Sequence, residues 1–171
     1  GKTTMTKILA GEGAPTSGFV DRSGEVGYLP QDPRNGDPTE LVRTRILNAR
    51  GLGDIQARMA AATLDMGSIE QDVYDNAMRK YSNAEAQFLA AGGYAAEAEA
   101  ETIASNLGIK SHTLDQPIST LSGGQRRRVE LARILFSNAE TMLLDEPTNH
   151  LDVDSVVWLR EFLKGYQGGL I

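Results

Sequence analysis

The chain has 171 residues, of which 40% are hydrophobic and 23% are charged, a composition that fits one globular domain with a sizeable core. Its formal net charge of −6 argues against a broadly basic surface that coats nucleic acid, and the absence of cysteine excludes disulfides and thiolate metal sites. No apolar run reaches the roughly 20 residues that a membrane-spanning helix needs, and the expected compartment is the cytoplasm.

The first part of the chain predicts a short helix followed by a hairpin. Residues 5–10 predict a helix that Gly11 ends. Residues 18–21 and 25–29, with a turn at 22–24 between them, predict an antiparallel β-hairpin. A proline-rich loop follows the hairpin.

From about residue 41 to residue 107 the pattern is helical. Apolar residues recur every three or four positions, as on one face of a helix, at Ile69, Val73, Ala77, Tyr81, Ala84 and Phe88. The pair Gly92-Gly93 interrupts this pattern, and a second helix is predicted from Ala95 to Leu107.

This helical region is acidic. Residues 54–105 hold nine acids and only three bases, an excess equal to the net charge of the whole chain. The acids are Asp54, Asp65, Glu70, Asp72, Asp75, Glu85, Glu97, Glu99 and Glu101, and the bases are Arg58, Arg79 and Lys80. A solvated helical face explains the excess, and a surface that binds a partner is the alternative.

The final third predicts a parallel α/β sheet. Residues 122–136 form a basic amphipathic helix, 141–144 a buried strand and 155–164 another amphipathic helix. The last four residues resemble a turn that enters a strand, and no strand precedes the first four. We therefore expect one domain over 1–171 that is truncated at both ends.

The first four residues match the last part of a phosphate-binding loop, G-x-x-x-x-G-K-[ST]. In such a loop, backbone N–H groups and the helix N-terminus hold phosphate oxygens. Lys2 would reach the β- and γ-phosphates, and the hydroxyl of Thr3 would ligate Mg²⁺. A surface Gly-Lys pair is the alternative reading of these residues taken alone.

Two carboxylates, Asp145 and Glu146, follow the predicted strand. Ligands bind at the carboxyl ends of parallel strands. Asp145 would hold Mg²⁺ through water, and Glu146 would polarise the attacking water as a general base. A helix N-cap with an acid in the first turn is the alternative.

A third motif is Leu121-Ser122-Gly123-Gly124-Gln125. Ser122 can cap the helix that begins there, and the two glycines let another backbone approach closely. The result is an exposed helix N-terminus that attracts anions. A capped helix start alone would not need two consecutive glycines, so the motif favours an anion site.

Taken in order along the chain, these motifs resemble those of the ATP-binding cassette (ABC) family. Segment 1–4 resembles the end of its Walker A loop, 28–31 its Q-loop, 121–125 its signature motif, 141–146 its Walker B strand, and 149–152 its D-loop. The resemblance implies an α/β P-loop NTPase (ABC ATPase) core with an antiparallel β-hairpin region and a helical insert at 45–105.

The resemblance also implies ATP and Mg²⁺ as cofactors and a role for each matching residue. The implied catalytic residues are Glu146 and Gln31; the implied metal ligands are Thr3, Gln31 and Asp145; and the implied nucleotide-binding residues are Gly1, Lys2, Thr3, Thr4, Ser122, Gly123, Gly124, Gln125 and Asp152. Two cassettes of this family meet head to tail. The ATP held by Lys2 and Thr3 of one is then closed over by the Ser122 helix of the other, and hydrolysis opens the clamp.

Segment 146–152 further resembles the ABC-F branch, soluble twin-cassette ATPases that act on ribosomes. The helical insert is similar to the arm that the first ABC-F cassette carries. The resemblance therefore implies an ATP-driven clamp that regulates or protects the translating ribosome, with the ribosome and a second ABC domain as partners.

Two features depart from the ABC-F pattern. RNA binding predicts a basic arm, whereas this arm is short and acidic, so it would contact a ribosomal protein or nothing. The run Arg126-Arg127-Arg128 could form an RNA patch, but we favour a solvated surface between domains.

Two other functions stay open. The chain could be the nucleotide-binding subunit of an ABC transporter, although transport cassettes more often carry small residues where Asn149-His150 stand. It could also be an interaction module that hydrolyses nothing. Because the upstream part of the phosphate loop is absent from the sequence, we expect the isolated chain to bind ATP weakly and turn it over poorly.

Overall fold

The computed structural model describes residues 2–22, 24–29 and 37–171, apart from the side chain of Lys2. The helices of these ranges are α1 (Lys2–Ala10), α2 (Val42–Leu47), α3 (Gly53–Asp65), α4 (Gln71–Ala90), α5 (Gly93–Asn106), α6 (Ser111–Leu114), α7 (Gly123–Phe136) and α8 (Val153–Gly165). The strands are β1 (Val26–Leu29), β2 (Thr141–Leu144) and β3 (Gly169–Leu170). Short 3-10 turns lie at Asn48–Arg50 and Ile118–Thr120.

The three strands form a parallel sheet in the order β1-β2-β3, which confirms the predicted parallel α/β arrangement. Val26 pairs with Thr141 and Leu29 with Leu144, so β1 and β2 end at the same edge of the sheet. Met142 and Leu143 are both buried, as expected for a parallel strand that is covered on both faces.

The predicted β-hairpin is wrong. Residues 18–22 form no strand, and β1 pairs with β2 in a parallel ladder that continues upstream through a hydrogen bond from the Thr141 N–H to the Glu25 carbonyl. The side chain of Arg22 instead donates to the carbonyls of Ile8 (2.8 Å) and Leu9 (2.7 Å) at the end of α1. The preceding segment therefore lies against α1, where Arg22 satisfies carbonyls that the helix leaves without partners.

One hydrophobic core joins the sheet to the helices. It extends from Leu29 and Met142 in the strands through the buried face of α7 to Ile103 and Leu107 near the end of α5. Helix α7 contacts α2, α5 and β1, so it stands between the sheet and the helical region. This central position explains why so many of its residues are buried.

The apolar face predicted for 69–88 is buried only from Ala77 onward. Ala77, Ala84 and Phe88 are buried, whereas Ile69 is fully exposed and Val73 is 38% exposed. Ile69 lies in the turn between α3 and α4, beyond the end of α3 at Asp65, where no helix covers it. The α3–α4 pair therefore ends in an exposed apolar turn.

Some of the acidic excess is balanced by arginines of neighbouring elements. Arg43 pairs with Glu97 (3.0 Å), Glu101 and Asp115 (3.3 Å). Arg50 pairs with Glu99 through two hydrogen bonds of 2.7 and 2.8 Å. Three acids of α5 are thus used within the fold. The acids from Asp65 to Asp75 have no Lys or Arg between residues 59 and 78 to balance them.

Candidate active site

The structure brings three of the predicted site residues into one cavity of about 220 Å³. Thr3, in the first turn of α1, faces Asp145 and Glu146, which follow the last residue of β2. Arg127, Asn149 and His150 complete the wall. A helix N-terminus and two carboxylates therefore meet at the carboxyl edge of the sheet, the place where α/β proteins bind ligands.

The backbone at Glu146 turns sharply to present its carboxylate. Its φ of +49° lies in the left-handed region, which costs a residue other than glycine about 1 kcal/mol or more. The Asn149 N–H donates to the Glu146 carbonyl (3.2 Å), and Asn149 Nδ2 donates to Glu146 Oε2 (2.7 Å). Asn149 therefore holds both the turn and the orientation of the carboxylate.

Arg127 fixes the same turn from the side of α7. It is 7% exposed, and its Nη2 donates to the carbonyls of Asp145 (2.6 Å) and Glu146 (3.2 Å). None of the sequence motifs predicts Arg127 as part of the site. Its position could have indicated this role, because it lies four residues before Leu131 and therefore on the apolar face of the predicted helix.

The three consecutive arginines point to three different places, because successive residues of a helix are about 100° apart. Arg126 Nη1 donates to the Leu121 carbonyl (2.8 Å), and Arg128 Nη1 donates to the Gly108 carbonyl (3.3 Å). Arg127 is buried at the site and therefore belongs neither to an RNA patch nor to a solvated surface, whereas Arg126 and Arg128 are partly exposed and both readings stay open for them.

The predicted anion site at the start of α7 lies outside the cavity. The Gln125 N–H donates to Ser122 Oγ (3.2 Å) and the Ser122 N–H donates to Gln125 Oε1 (2.8 Å), which is a complete capping box. Ser122 and Gly123 are exposed, and a side chain on Gly124 would contact His150. His150 therefore stands between this helix start and the cavity, and α7 presents its N-terminus to solvent.

Asp152 has a structural role at the start of α8. Its Oδ1 accepts a hydrogen bond from the Ser155 N–H (2.8 Å), which caps the helix. This backbone hydrogen bond lowers the pKa of the Asp152 carboxyl, with further lowering from the Ser155 side chain and from Arg128. The N-cap considered for Asp145 and Glu146 thus belongs to Asp152 instead, and Asp152 does not line the cavity.

Comparison with known proteins identifies the family. The family model described as "ABC transporter" matches residues 1–149. The chain belongs to the ATP-binding cassette family. The resemblance seen in the motifs is therefore confirmed.

Two curated relatives align with the full length of this chain. It is 38% identical to the tylosin resistance ATP-binding protein TlrC of Streptomyces fradiae and 34% identical to the energy-dependent translational throttle protein EttA of Mycobacterium tuberculosis. Both are ABC-F proteins, which confirms the predicted likeness to that branch. All of this chain is covered, but only 32% and 30% of those proteins, so the chain spans about a third of their length.

Solved structures show the same fold. An archaeal ribosome recycling factor, solved in complex with the archaeal ribosomal stalk protein aP1, matches 99% of this chain and 26% of its own with a TM-score of 0.59 and 26% identity. The ATP-binding subunit of an ABC transporter matches 99% of this chain and 61% of its own with a TM-score of 0.64. At 15% identity this second likeness shows the fold alone.

The donors in the cavity suit Mg²⁺ that is bound together with phosphates. Within the described ranges, no group of three or more His, Asp or Glu side chains could hold a metal ion by itself. The Thr3 hydroxyl and the Asp145 carboxylate are oxygen donors, and Mg²⁺ in nucleotide sites takes one or two such protein ligands while substrate phosphates and water supply the others. The residues present therefore fit the ion that the family implies.

Several predicted site residues lie elsewhere or outside the described ranges. Gly1, Gln31 and the side chain of Lys2 are not among the described parts of the cassette. Thr4 is exposed on α1 and does not line the cavity. Tyr28, which precedes the Q-loop glutamine, has a raised pKa, chiefly because its hydroxyl is buried and also because of the charges of Glu12 and Asp145.

In the parts of the cassette that the structure describes, no helix combines the length and the apolar character needed to cross a membrane.

Proposed function

We propose that the cassette binds ATP with Mg²⁺ and that the intact protein hydrolyses it. The observation that carries this proposal is the single cavity shared by Thr3, Asp145 and Glu146. Lys2 and Thr3 hold the phosphates together with the backbone N–H groups of Gly1 and Thr4, while Thr3, Asp145 and Gln31 hold the ion. Bound Mg²⁺ neutralises the charge that develops on the phosphates.

Glu146 is the proposed general base. Its carboxylate is oriented by Asn149 and stands at the mouth of the sheet, where it can accept a proton from a water that attacks the terminal phosphate. Gln31 is proposed to position the same water. Arg127 does not touch the reacting atoms; it holds the carbonyls beside the two acids and so positions them.

The second proposed element is a facing cassette. Ser122, Gly123, Gly124 and Gln125 form an exposed, capped helix start that His150 separates from the chain's own cavity. A helix N-terminus in this position can bind a phosphate held by another domain. Asp152, which begins the helix after the Walker B turn, is proposed to lie at the same interface.

For the whole protein we propose an ABC-F-type clamp that acts on the translating ribosome in the cytoplasm. The likeness to a tylosin resistance protein and to a translational throttle protein supports this role. The chain then corresponds to a first cassette, a single domain over 1–171 with its helical insert at 45–105. The second candidate is the ATPase of a membrane transporter, which the description of the matching family model favours.

Co-sedimentation with ribosomes tests the proposal. The full-length protein with Glu146→Gln, and with the equivalent glutamate of any second cassette replaced as well, should bind ATP without hydrolysing it. It should pellet with ribosomes when ATP is present but not without ATP. The wild type is the control and should be retained less because hydrolysis releases it. If the variant stays in the supernatant in both conditions, the translation role fails and the transporter role takes its place.

The exposed turn between α3 and α4 is the proposed contact of the insert. Leu64 is 81% exposed and Ile69 is fully exposed. Four acids, Asp65, Glu70, Asp72 and Asp75, lie in the same stretch without a base. Phosphate backbones repel such a surface, so its complement is a basic protein surface with an apolar patch rather than RNA.

A double variant tests this contact. Leu64→Ser with Ile69→Ser should weaken ATP-dependent ribosome binding of the Glu146→Gln protein by about tenfold or more, because the contact loses the burial of two large apolar side chains. Leu89→Ser, at a site that is 57% exposed but near the other end of α4, is the matched control. Equal binding of the double variant and the control would remove the turn from the interface.

A further inference from the structure

A second cavity, of about 260 Å³, lies beside the first turns of α7. Its wall runs from Gly108, just after α5, through the start of α6, and is completed by Gln125 and Arg128 of α7. It shares no residue with the cavity at Thr3, and Ser122, Gly123 and Gly124 do not line it. It is therefore separate from the cavity at Thr3, and it meets the start of α7 only at Gln125.

The polar wall of this cavity consists mainly of hydrogen-bond donors. Lys110, His112 and Arg128 line it, and no carboxylate does. Such a grouping stands out in a chain with 23 acids and 17 Lys and Arg residues. Elsewhere in the described ranges, Arg43 and Arg50 are paired with acids of α5.

Arg128 is held in place and still has a donor to offer. Its Nη1 donates to the Gly108 carbonyl at 3.3 Å, while its Nε is buried and has no hydrogen-bond partner among the described residues. Because this Nε lies out of reach of a ligand, the donors that Arg128 can offer are those of its terminal guanidinium nitrogens. Asp152 Oδ2 lies on the same side of Gly108 as Arg128 Nη1, and the charge of Arg128 lowers the pKa of Asp152. This carboxylate therefore offsets part of the charge of Arg128, although it does not line the cavity.

Gln125 connects this cavity to the start of α7. Its Oε1 accepts the hydrogen bond from the Ser122 N–H in the capping box, so its Nε2 amide is the donor that the side chain can offer to a ligand. Gln125 also lies in the first turn of α7, where the helix dipole favours a negative charge.

We propose that this cavity binds a phosphate group, supplied either by an RNA backbone or by a small phosphate compound. Lys110 and Arg128 supply the charge, and Gln125 and His112 supply further polar contacts. The volume of about 260 Å³ leaves room for a phosphate group. Because Gln125 also belongs to the capping box, an occupied site would steady the helix start that faces the partner cassette.

An NMR titration of the whole chain with inorganic phosphate tests the site, with chloride adjusted to keep the ionic strength constant. We expect saturable shifts of the backbone amides at 108–113 and 125–129. Lys110→Gln should weaken this binding by about tenfold, since a charged donor is lost. The exposed Lys80→Gln is the matched control and should leave it unchanged. Shifts that phosphate causes near Thr3 should persist in both variants.

A second titration with a ten-nucleotide single-stranded oligouridine identifies the source of the phosphate. Shifts of the same amides that inorganic phosphate competes away would assign the site to an RNA backbone. Binding of inorganic phosphate alone would assign it to a small phosphate compound. Absence of saturable shifts at 108–113 with either probe, or equal shifts in Lys110→Gln and wild type, would overturn the proposal. Lys110 is exposed, so its replacement should not disturb the fold.

Discussion

Arg127 is the residue on which the geometry of the two acids most depends. Its guanidinium lies on the buried face of α7, where an apolar side chain would ordinarily lie. It donates hydrogen bonds to the carbonyls of Asp145 and Glu146. These contacts, with those of Asn149, hold Glu146 at a positive φ. The turn after β2 is thus determined by α7 as well as by its own sequence.

Replacing Arg127 should therefore affect both stability and turnover. Arg127→Gln is expected to lower the free energy of unfolding by about 2 kcal/mol, because two carbonyls lose the charged donor that the buried Arg127 side chain supplies. We expect ATP turnover of the full-length protein to fall by about tenfold or more as Glu146 loses its fixed position. Urea unfolding and phosphate release measure the two effects. The exposed Arg160→Gln is the control, and equal values for the two variants would contradict the role of Arg127.

Asp152 contributes to the stability of the folded state, and the direction in which this contribution changes with pH follows from its lowered pKa. Its pKa is lowered in the folded state, first by the Ser155 N–H hydrogen bond, so its contribution is fully present above the unfolded value of about 3.9 and is lost as the pH falls through the folded value. Asn also caps helices but does not titrate. The stability difference between wild type and Asp152→Asn should be constant above about pH 5 and shrink below about pH 4. Urea unfolding from pH 7 to pH 3 measures it, and a difference independent of pH would contradict the assignment.

The corner between α4 and α5 depends on two glycines that act differently. Gly92 has a φ of +67°, a conformation that ends α4, whereas Gly93 lies so close to Phe88 that a Cβ there would stand 2.5 Å from the ring. Phe88 is buried and packs edge-on against Tyr94, with the ring centroids 5.2 Å apart. The backbone of Gly93 therefore packs directly against the ring of Phe88 at this corner.

This packing predicts a large effect from one added methyl group. Gly93→Ala should lower the free energy of unfolding by about 1–3 kcal/mol, because Phe88 cannot move away within the core. Gly165→Ala, at the end of α8, adds the same group where nothing lies within 4 Å and should be neutral or slightly stabilising. Thermal unfolding of the two variants compares them directly, and equal melting temperatures would contradict the packing described for Phe88.

Elements whose signals are local could be predicted from the sequence, and those that depend on distant partners could not. The periodicity of α7, the apolar run of β2 and the stop at Gly11 all lie within one element, and all three are confirmed. The hairpin was wrong because the partner of β1 is β2, far along the chain, and no local signal specifies that pairing. The outward-facing start of α4 was missed because periodicity does not show where the neighbouring helix ends.

The same distinction applies to the site. Motifs identified Thr3, Asp145 and Glu146, and the sheet topology brings them together. Arg127 was missed because its position on the apolar face of α7 matters more than the charge of the run to which it belongs. Asp152 is a third case: it lies in a predicted motif, and in the structure its side chain caps the start of α8.

At the scale of the whole molecule, the charges and the motifs face different ways. The acids of residues 65–75, a stretch that contains no Lys or Arg, lie around the turn between α3 and α4, while the start of α7 lies outside the cavity at Thr3. The proposed surface for a partner is therefore separate from the proposed surface for a second cassette. This separation fits a clamp in which ATP closes one surface and thereby positions the other.

The central claim is that Glu146 activates water in an ATP site formed with Thr3 and Asp145. The decisive measurement is ATP retention and multiple turnover by the full-length protein, with and without Glu146→Gln. If the protein has a second cassette, the equivalent glutamate there is replaced in both preparations. Asn149 can still donate to the new amide oxygen, so the turn should persist and ATP should stay bound. We predict that Glu146→Gln lowers ATP turnover by about 100-fold or more while ATP remains bound. Multiple turnover at the rate of the preparation that keeps Glu146 would contradict the proposed role of this residue.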